Sequence, residues 1–437
     1  MKRLIRIAAP LTALGLASIV AATSLVHPAV AASADSASTD ANIARLTTSL
    51  LGHSQFAHRP FDAELAGALL TRYMDALDPS RSLFLQSDVD EFVARRAAVA
   101  KAVEAGDTDV ARAIFERYLE RLEQNEEYVA DRLLTAKFDF TGHDVYSYDR
   151  DHAQRPRDLA AARALWWQQL RAEYLDAKLD DRRPKQQIVE DLTRRHAQNL
   201  RTMKDLRSDE VLEMFLDTLA HVYDPHSDYL GREQMESFSI AMRLSLVGIG
   251  ATLESKDGYC EIRDLLSGGP ASRGGLLKPG DRIVSVAQAG NQPVDIVNMP
   301  LSRAVELIRG PKGSTVTLSV IPAGAPDGSP PKRESLVRDE VRLEDQEAKA
   351  RIVDIPSGKG GTLRLGVVDL PAFYADVGGR AGAGRRSATA DVACLLTKLK
   401  TEGVKGVVLD LRKNGGGSLD EAISLTGLFI RTGPVVQ

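Results

Sequence analysis

The sequence predicts a multidomain α+β protein, and three changes of texture along the chain predict it. From about Asn42 to Leu230 apolar residues recur at helical spacing with almost no strand-like alternation. Beyond Ser239 short β-branched runs are punctuated by glycine and proline, and from about Glu340 apolar strands alternate with helical stretches. With 437 residues, 43% of them apolar, the chain can fill about two to four cores. Acidic and basic residues nearly balance, 60 against 56 for a formal charge of -4, so no field of one sign points to nucleic acid or an anionic membrane.

At the N-terminus Lys2, Arg3 and Arg6 precede an apolar stretch from Ile7 to Val26, and Ala29-Val30-Ala31 or Val30-Ala31-Ala32 offers a small-residue cleavage site. This is the pattern of a secretory signal peptide over residues 1–32. The stretch is nearly long enough to span a bilayer, which leaves an inner-membrane anchor as the alternative. Cys260 and Cys394 fall in different predicted domains and neither lies in a C-x-x-C spacing, so no disulfide is expected.

The helical region runs over residues 33–236. Ser87, Asp88 and Asp90 open a charged helix, Trp166 and Trp167 lie in another, and Ser208-Asp209-Glu210 caps one ending near Tyr223. "HVYDPHSDYL" crowds His221, Asp224, His226 and Asp228 into a short run that invites a metal reading. Pro225 breaks the helix between them, so they do not share the face that an H-E-x-x-H site requires; the expectation is a capped turn and no metal site.

Over residues 237–339, "LSLVGIGATLE", "YCEIRDL", "DRIVSVAQ" and "STVTLSVI" read as strands and Leu301 to Gly310 as one helix, giving a small β-barrel with a helix on its flank. "GAPDGSPPKRE", Gly324 to Glu334, reads as an exposed hairpin loop. From residue 340 to 437, "RLGVVDLPAFY", a helix from Asp391 to Lys400, "GVVLDLR", three glycines and a second helix indicate a parallel or mixed α/β layer.

Gly248-Ile249-Gly250-Ala251 follows an apolar strand, and "GGPASRGGLLKPGDRIVSV" comes shortly after it. The second stretch resembles the signature of PDZ domains attached to exported proteases, and Gly248, Ile249, Gly250 and Ala251 resemble their carboxylate-binding loop. Glycines let backbone N–H groups converge on a peptide's terminal carboxylate while the peptide adds as a strand. Leu307 or Ile308 of the flanking helix would wall the apolar pocket. Arg273 stands where such domains more often carry alanine, a change expected to alter packing and not the binding mode.

With "DPHSDYL", "SLVGIGATL", "IRGPKGSTVTL", "VRLEDQEAK", "GVVDLPAFY" and "LDLRKNGGGSLDEAISLTGLFI" in that order, nearly the whole chain resembles the tail-specific, or carboxy-terminal processing, proteases of bacterial periplasms. The resemblance implies a helical N-terminal domain, a PDZ-like β-barrel and a partial α/β core of the ClpP/crotonase-like kind. It implies a periplasmic serine endopeptidase without metal or cofactor. Its partners would be unfolded or tagged proteins held by their free C-terminus, with an adaptor protein as a further candidate. The turn at Gly415, Gly416 and Gly417 would be the oxyanion hole, since N–H groups at a helix start suit developing negative charge. A phosphate loop is the competing reading, but GGGS has neither the G-x-G-x-x-G spacing nor a Walker lysine.

In the family the nucleophilic serine and its lysine base lie downstream of this turn, and neither can be carried to a position here. Gly358-Lys359-Gly360 has the right letters but precedes the "LRLGVVDL" strand; Ser357 is its neighbour; Ser418 reads as a helix cap. The expectation is a chain truncated before the Ser/Lys pair and inactive alone. The alternatives are a non-catalytic pseudoprotease that binds peptide C-termini, or a gene fragment.

Overall fold

The computed structural model describes residues 28–56, 58–181, 184–326, 328–356, 361–375 and 386–436. The signal stretch before Pro28 and the run from Ser357 to Gly360 lie outside these residues. The chain divides into two compact units, residues 1–231 and 232–437.

The first unit is helical: α1 (Pro28–Ser54), α2 (Ala63–Leu77), α3 (Gln86–Ala94), α4 (Arg96–Glu104), α5 (Asp109–Thr135), α6 (Leu159–Asp181), α7 (Lys185–Lys204) and α8 (Ser208–Tyr223). Asp62 starts α2 by accepting the Glu64 and Leu65 N–H groups, and Leu65, Leu69, Tyr73 and Leu77 recur on one buried face. That face meets α8, where Tyr73 and Phe215 stand edge to face at 5.2 Å. Helix α3 starts one residue earlier than the Ser87 signal implied. Asp88, not Ser87, takes the Leu85 N–H at 2.9 Å, and the same buried carboxylate receives Arg117 and Arg121 of α5. A second knot forms at Asp78, which accepts from the N–H groups of Ser82, Leu83 and Phe84 and from Arg155. His196 of α7 lies between Glu126 of α5 and Glu173 of α6, at 3.0 and 3.1 Å.

In the second unit α9 (Arg232–Arg243) leads into β1 (Ser245–Gly248), β2 (Ala251–Lys256), β3 (Tyr259–Leu265), α10 (Pro270–Gly274), β4 (Arg282–Gln288), β5 (Val294–Asp295), α11 (Leu301–Ile308), β6 (Thr315–Ile321), β7 (Lys332–Val337) and β8 (Asp339–Arg342). The expected barrel does not close. The sheet is open, in the order β2-β3-β4-β6-β7 with β5 beside β4. Its would-be closing strand β1 pairs with β8 as a separate antiparallel ribbon, because the chain turns between Gly248 and Ala251 with Gly250 at φ +75°. Ile262, Ile283, Val316 and Leu318 fill the core beneath the sheet.

The chain continues as β9 (Lys349–Pro356), β10 (Thr362–Asp369), α12 (Ala388–Thr401), β11 (Gly406–Asp410) and α13 (Leu419–Thr426). β10 is central, antiparallel to β9 and parallel to β11, so this layer is mixed as expected. Val368, Leu370, Tyr374, Val392, Leu399 and Leu425 pack with Leu244 into its core. No helix among the described residues is long and apolar enough to cross a membrane.

Candidate functional site

The glycine turn follows β11 and is fastened to the segment that follows β10. Gly415 N–H donates to the Pro371 carbonyl at 3.0 Å, Phe373 N–H to the Gly416 carbonyl at 2.8 Å, and Ser418 N–H to the Phe373 carbonyl at 2.9 Å. Asn414, which the sequence reading left without a role, holds the turn from inside. Its amide donates to the Leu370 carbonyl at 2.9 Å and its oxygen accepts Gly416 N–H at 2.8 Å. The signal for it was present, since Asn commonly bonds its own backbone two residues on. Of the three glycine N–H groups, those of Gly415 and Gly416 are therefore occupied. That of Gly417 has no partner among the described residues.

Ser418 is the N-cap of α13 and accepts Glu421 N–H at 3.3 Å. Glu421 in turn receives the N–H and hydroxyl of Thr389 at the start of α12, which fixes the two helix starts together. Asp410, at the end of β11, is held at a pKa of about 2 by the Arg412 guanidinium and N–H, so the strand leading into the turn ends on a fixed negative charge.

The second candidate site is the bend between β1 and β2. Gly248, Ile249 and Gly250 are buried there. The carbonyls of Ile249 and Gly250 accept from Ala271 at 2.8 Å and Leu266 at 2.9 Å, but their N–H groups have no partner among the described residues. Two buried donors without acceptors are an unmet requirement that a carboxylate satisfies. Gly250 is irreplaceable on geometry: a β-carbon there would stand 2.8 Å from the Gly269 Cα. Ala251 opens β2, the edge strand of the sheet. Arg273 is accommodated by reaching outward to Asp339, at 2.8 Å.

Leu307 and Ile308 do not wall an open pocket. Ile308 is buried in the core with Ala304, and Leu307 packs against the same core. The adjoining face of α11, with Ser302, Val305 and Arg309, lines a cavity of about 760 Å³ shared with α9 and Val247, and Leu301 borders both this cavity and the core. The helical period accounts for the difference: positions 302, 305 and 309 are turned away from the face that 304 and 308 bury.

In the first unit, the turn at Asp224 is capped as expected: its carboxylate accepts His226 N–H and the Ser227 hydroxyl. The break at Pro225 does not keep His221 and Asp228 apart, however. The chain folds back so that Tyr229 N–H reaches Asp217, and ligand-type atoms of Asp217, His221 and Asp228 come within 4.8 Å of one another. Asp217 was not among the residues weighed from sequence.

Comparison with known proteins gives the same order of parts. Residues 47–233 match the tail specific protease N-terminal domain, 238–321 the PDZ domain, and 364–437 peptidase family S41. Over 391 residues the chain is 34% identical to the tail-specific protease of Haemophilus influenzae, a match covering 89% of this chain and 53% of that one. It is 30% identical over 234 residues to a probable CtpA-like serine protease of Staphylococcus aureus, 53% of this chain and 40% of that protein. The chain thus spans about half the length of the curated relatives it matches. Among solved structures, the PDZ domain of a carboxy-terminal protease from Vibrio cholerae in complex with peptide is 47% identical, covering 23% of this chain and 100% of that one, with a TM-score of 0.22. The photosystem II D1 C-terminal processing protease is 23% identical, covering 53% and 57%, with a TM-score of 0.25.

A tail specific protease N-terminal domain, a PDZ domain and a peptidase family S41 segment follow one another along the chain in this order. The chain belongs to the tail-specific, or carboxy-terminal processing, protease family.

Proposed function

We propose that this chain captures polypeptides by their free C-terminal carboxylate at Gly248 to Ala251 and supplies the oxyanion donor of a serine endopeptidase that cleaves them. The observation that carries the reading is the pair of unpartnered N–H groups at Ile249 and Gly250, beside the free edge of β2. A terminal carboxylate accepts from both, and the residues before it extend the sheet at β2. Leu301 and Val305 offer an apolar wall to the tail's side chains.

The peptidase step rests on the family. Gly417 N–H, at the start of α13, is the available donor for the oxygen that turns negative when a peptide carbonyl is attacked; losing one such donor costs about 2.7–4 kcal/mol of transition-state stabilisation. The serine and lysine that the family uses are assigned to no position in these 437 residues, so tail binding is expected of them and hydrolysis by themselves is not. Export to the periplasm rests on Lys2, Arg3, Arg6 and the apolar stretch behind them. Unfolded or tagged proteins are the substrates this reading implies, with an adaptor as a further partner.

Fluorescence anisotropy tests it. A labelled peptide ending in valines should bind with a free terminus and lose affinity as the amide; equal binding of the two would overturn the tail-capture reading. Degradation of casein by this chain in the presence of EDTA would overturn the statement that these residues do not hydrolyse alone.

A further inference from the structure

Arg338 is a charged side chain buried inside the PDZ unit, 1% exposed, and among the described residues no carboxylate stands against its guanidinium. Its acceptors are neutral. Nε donates to the Ile308 carbonyl at 2.8 Å, Nη1 to the Ser314 hydroxyl at 2.9 Å, and Nη2 to the Gln288 amide oxygen at 2.7 Å and the Leu307 carbonyl at 3.3 Å. Two of these acceptors are carbonyls at the C-terminal end of α11, where the helix dipole favours a cation. Gly310 makes room for the fork, since a β-carbon there would lie 2.9 Å from the guanidinium carbon.

The backbone of the same residue leads directly into β8. Asp339, the next residue, is the register partner of Gly248, where the candidate carboxylate loop begins. Asp339 is itself pinned by Arg273 at 2.8 Å and Lys312 at 3.4 Å, and α10, which carries Arg273, also donates from Ala271 N–H to the Ile249 carbonyl. Arg338 therefore grips the end of α11 with its side chain and, through its own N–H and carbonyl, Ser314 and Gly313 at the approach to β6, while the residue that follows it pairs with the entrance of the loop. Helix α11 and the loop are the two walls between which a tail would lie.

We infer that Arg338 is a positioning residue that sets the distance between α11 and the Gly248–Ala251 loop, and so the affinity for a C-terminal tail. This rests on the tail-capture reading for its functional consequence, though not for its geometry. Burial of an ion without a counter-ion is costly, and a hydrophobic side chain would fill the same space at less cost. What the guanidinium adds is a rigid planar fork that reaches several acceptors at once, which lysine cannot reproduce.

The test compares the 437-residue chain with Arg338→Lys, at a temperature where melting curves show both to be folded. Two readouts are taken: anisotropy with the free-acid valine-ending peptide, and hydrogen exchange of the backbone. The expected result is a loss of affinity of about tenfold, in line with losing a charge-assisted hydrogen bond. Exchange should quicken at residues 248–251 and 301–310 while β4 and β6 stay protected. Unchanged affinity with a lowered melting temperature, or exchange that quickens evenly through the unit, would overturn the inference and leave Arg338 a stabilising residue only. If the parent chain binds no tail, the tail-capture reading fails, and the exchange pattern alone decides whether Arg338 positions the loop. Should Arg338→Lys not fold, Gln288→Leu, which removes one acceptor of the fork, carries the same two readouts with the same deciding outcomes.

Discussion

The backbone of Gly417 passes so close to that of Phe373 that a β-carbon at position 417 would stand 2.4 Å from the Phe373 carbonyl oxygen. Gly417 also sits at φ +137°, outside the range of other residues. Gly417→Ala should therefore destabilise the chain by about 1–3 kcal/mol and shift the unpartnered N–H. Gly415 has no positive φ and open space around its Cα, so Gly415→Ala should stay within about 0.5 kcal/mol. Urea unfolding of both variants checks the contrast; equal effects would mean that the turn is not held against Phe373.

The loop between β1 and β2 gives a matched pair of its own. Gly250 is at φ +75° and a β-carbon there would press on the Gly269 backbone at 2.8 Å, whereas at Gly248 it would meet only Leu246 Cδ1 at 3.4 Å. Gly250→Ala is expected to weaken free-acid peptide binding by about tenfold or more, because the N–H groups of Ile249 and Gly250 must move to relieve the contact. Gly248→Ala should keep near-parental affinity. Anisotropy titrations of the two variants decide it, and a Gly250→Ala chain that binds as well as the parent would count against the loop as the carboxylate site.

Much of this was legible in the sequence, and what was not has a common cause. "YCEIRDL" gave the bounds of β3, and "STVTLSVI" gave β6 to within a residue, because β-branched runs between glycines announce strands locally. β8 escaped: Asp339-Glu340-Val341-Arg342 has a polar, short pattern and becomes a strand only by pairing with β1, nearly a hundred residues earlier. The same holds for the barrel that did not close, since which strand β1 joins is a long-range choice. The glycine turn was legible as an oxyanion candidate, but which N–H stays unpaired depends on Asn414 and on Pro371 and Phe373 arriving from another strand. Arg338 carried no signal at all, for arginine is ordinarily read as surface.

Asp88 offers the clearest stability test in the helical unit. Its side chain is 2% exposed and caps Leu85 N–H while bonding Arg117 and Arg121. Burial pushes the carboxyl up, but Arg121, the Leu85 N–H and Arg117 outweigh it and the net pKa is lowered. Asp88→Ala leaves two arginines facing a desolvated gap and should cost about 3–5 kcal/mol, measurable by urea unfolding. Because the folded pKa lies below the unfolded one, this contribution is present above the ordinary carboxylate range and is lost as pH falls through the folded value. A variant as stable as the parent at neutral pH would show that the cluster contributes nothing net.

His196 should give the opposite pH dependence. Burial alone would lower its pKa, yet hydrogen bonds and charge from Glu126 and Glu173 raise it to about 9 from an ordinary 6.5. The imidazolium is thus favoured in the folded state, bridging α5, α6 and α7. A raised folded pKa means that its stabilisation is complete below about pH 6.5 and drains away as pH climbs through about 9. The shift corresponds to an upper limit of roughly 3–4 kcal/mol, at 1.36 kcal/mol for each pH unit. Urea midpoints of the parent chain should therefore fall between pH 6.5 and 9, and the decline should be shallower in His196→Gln, which keeps polar atoms near both carboxylates without titrating. Parallel declines in the two proteins would assign the alkaline loss to other groups and leave His196 a neutral packing residue.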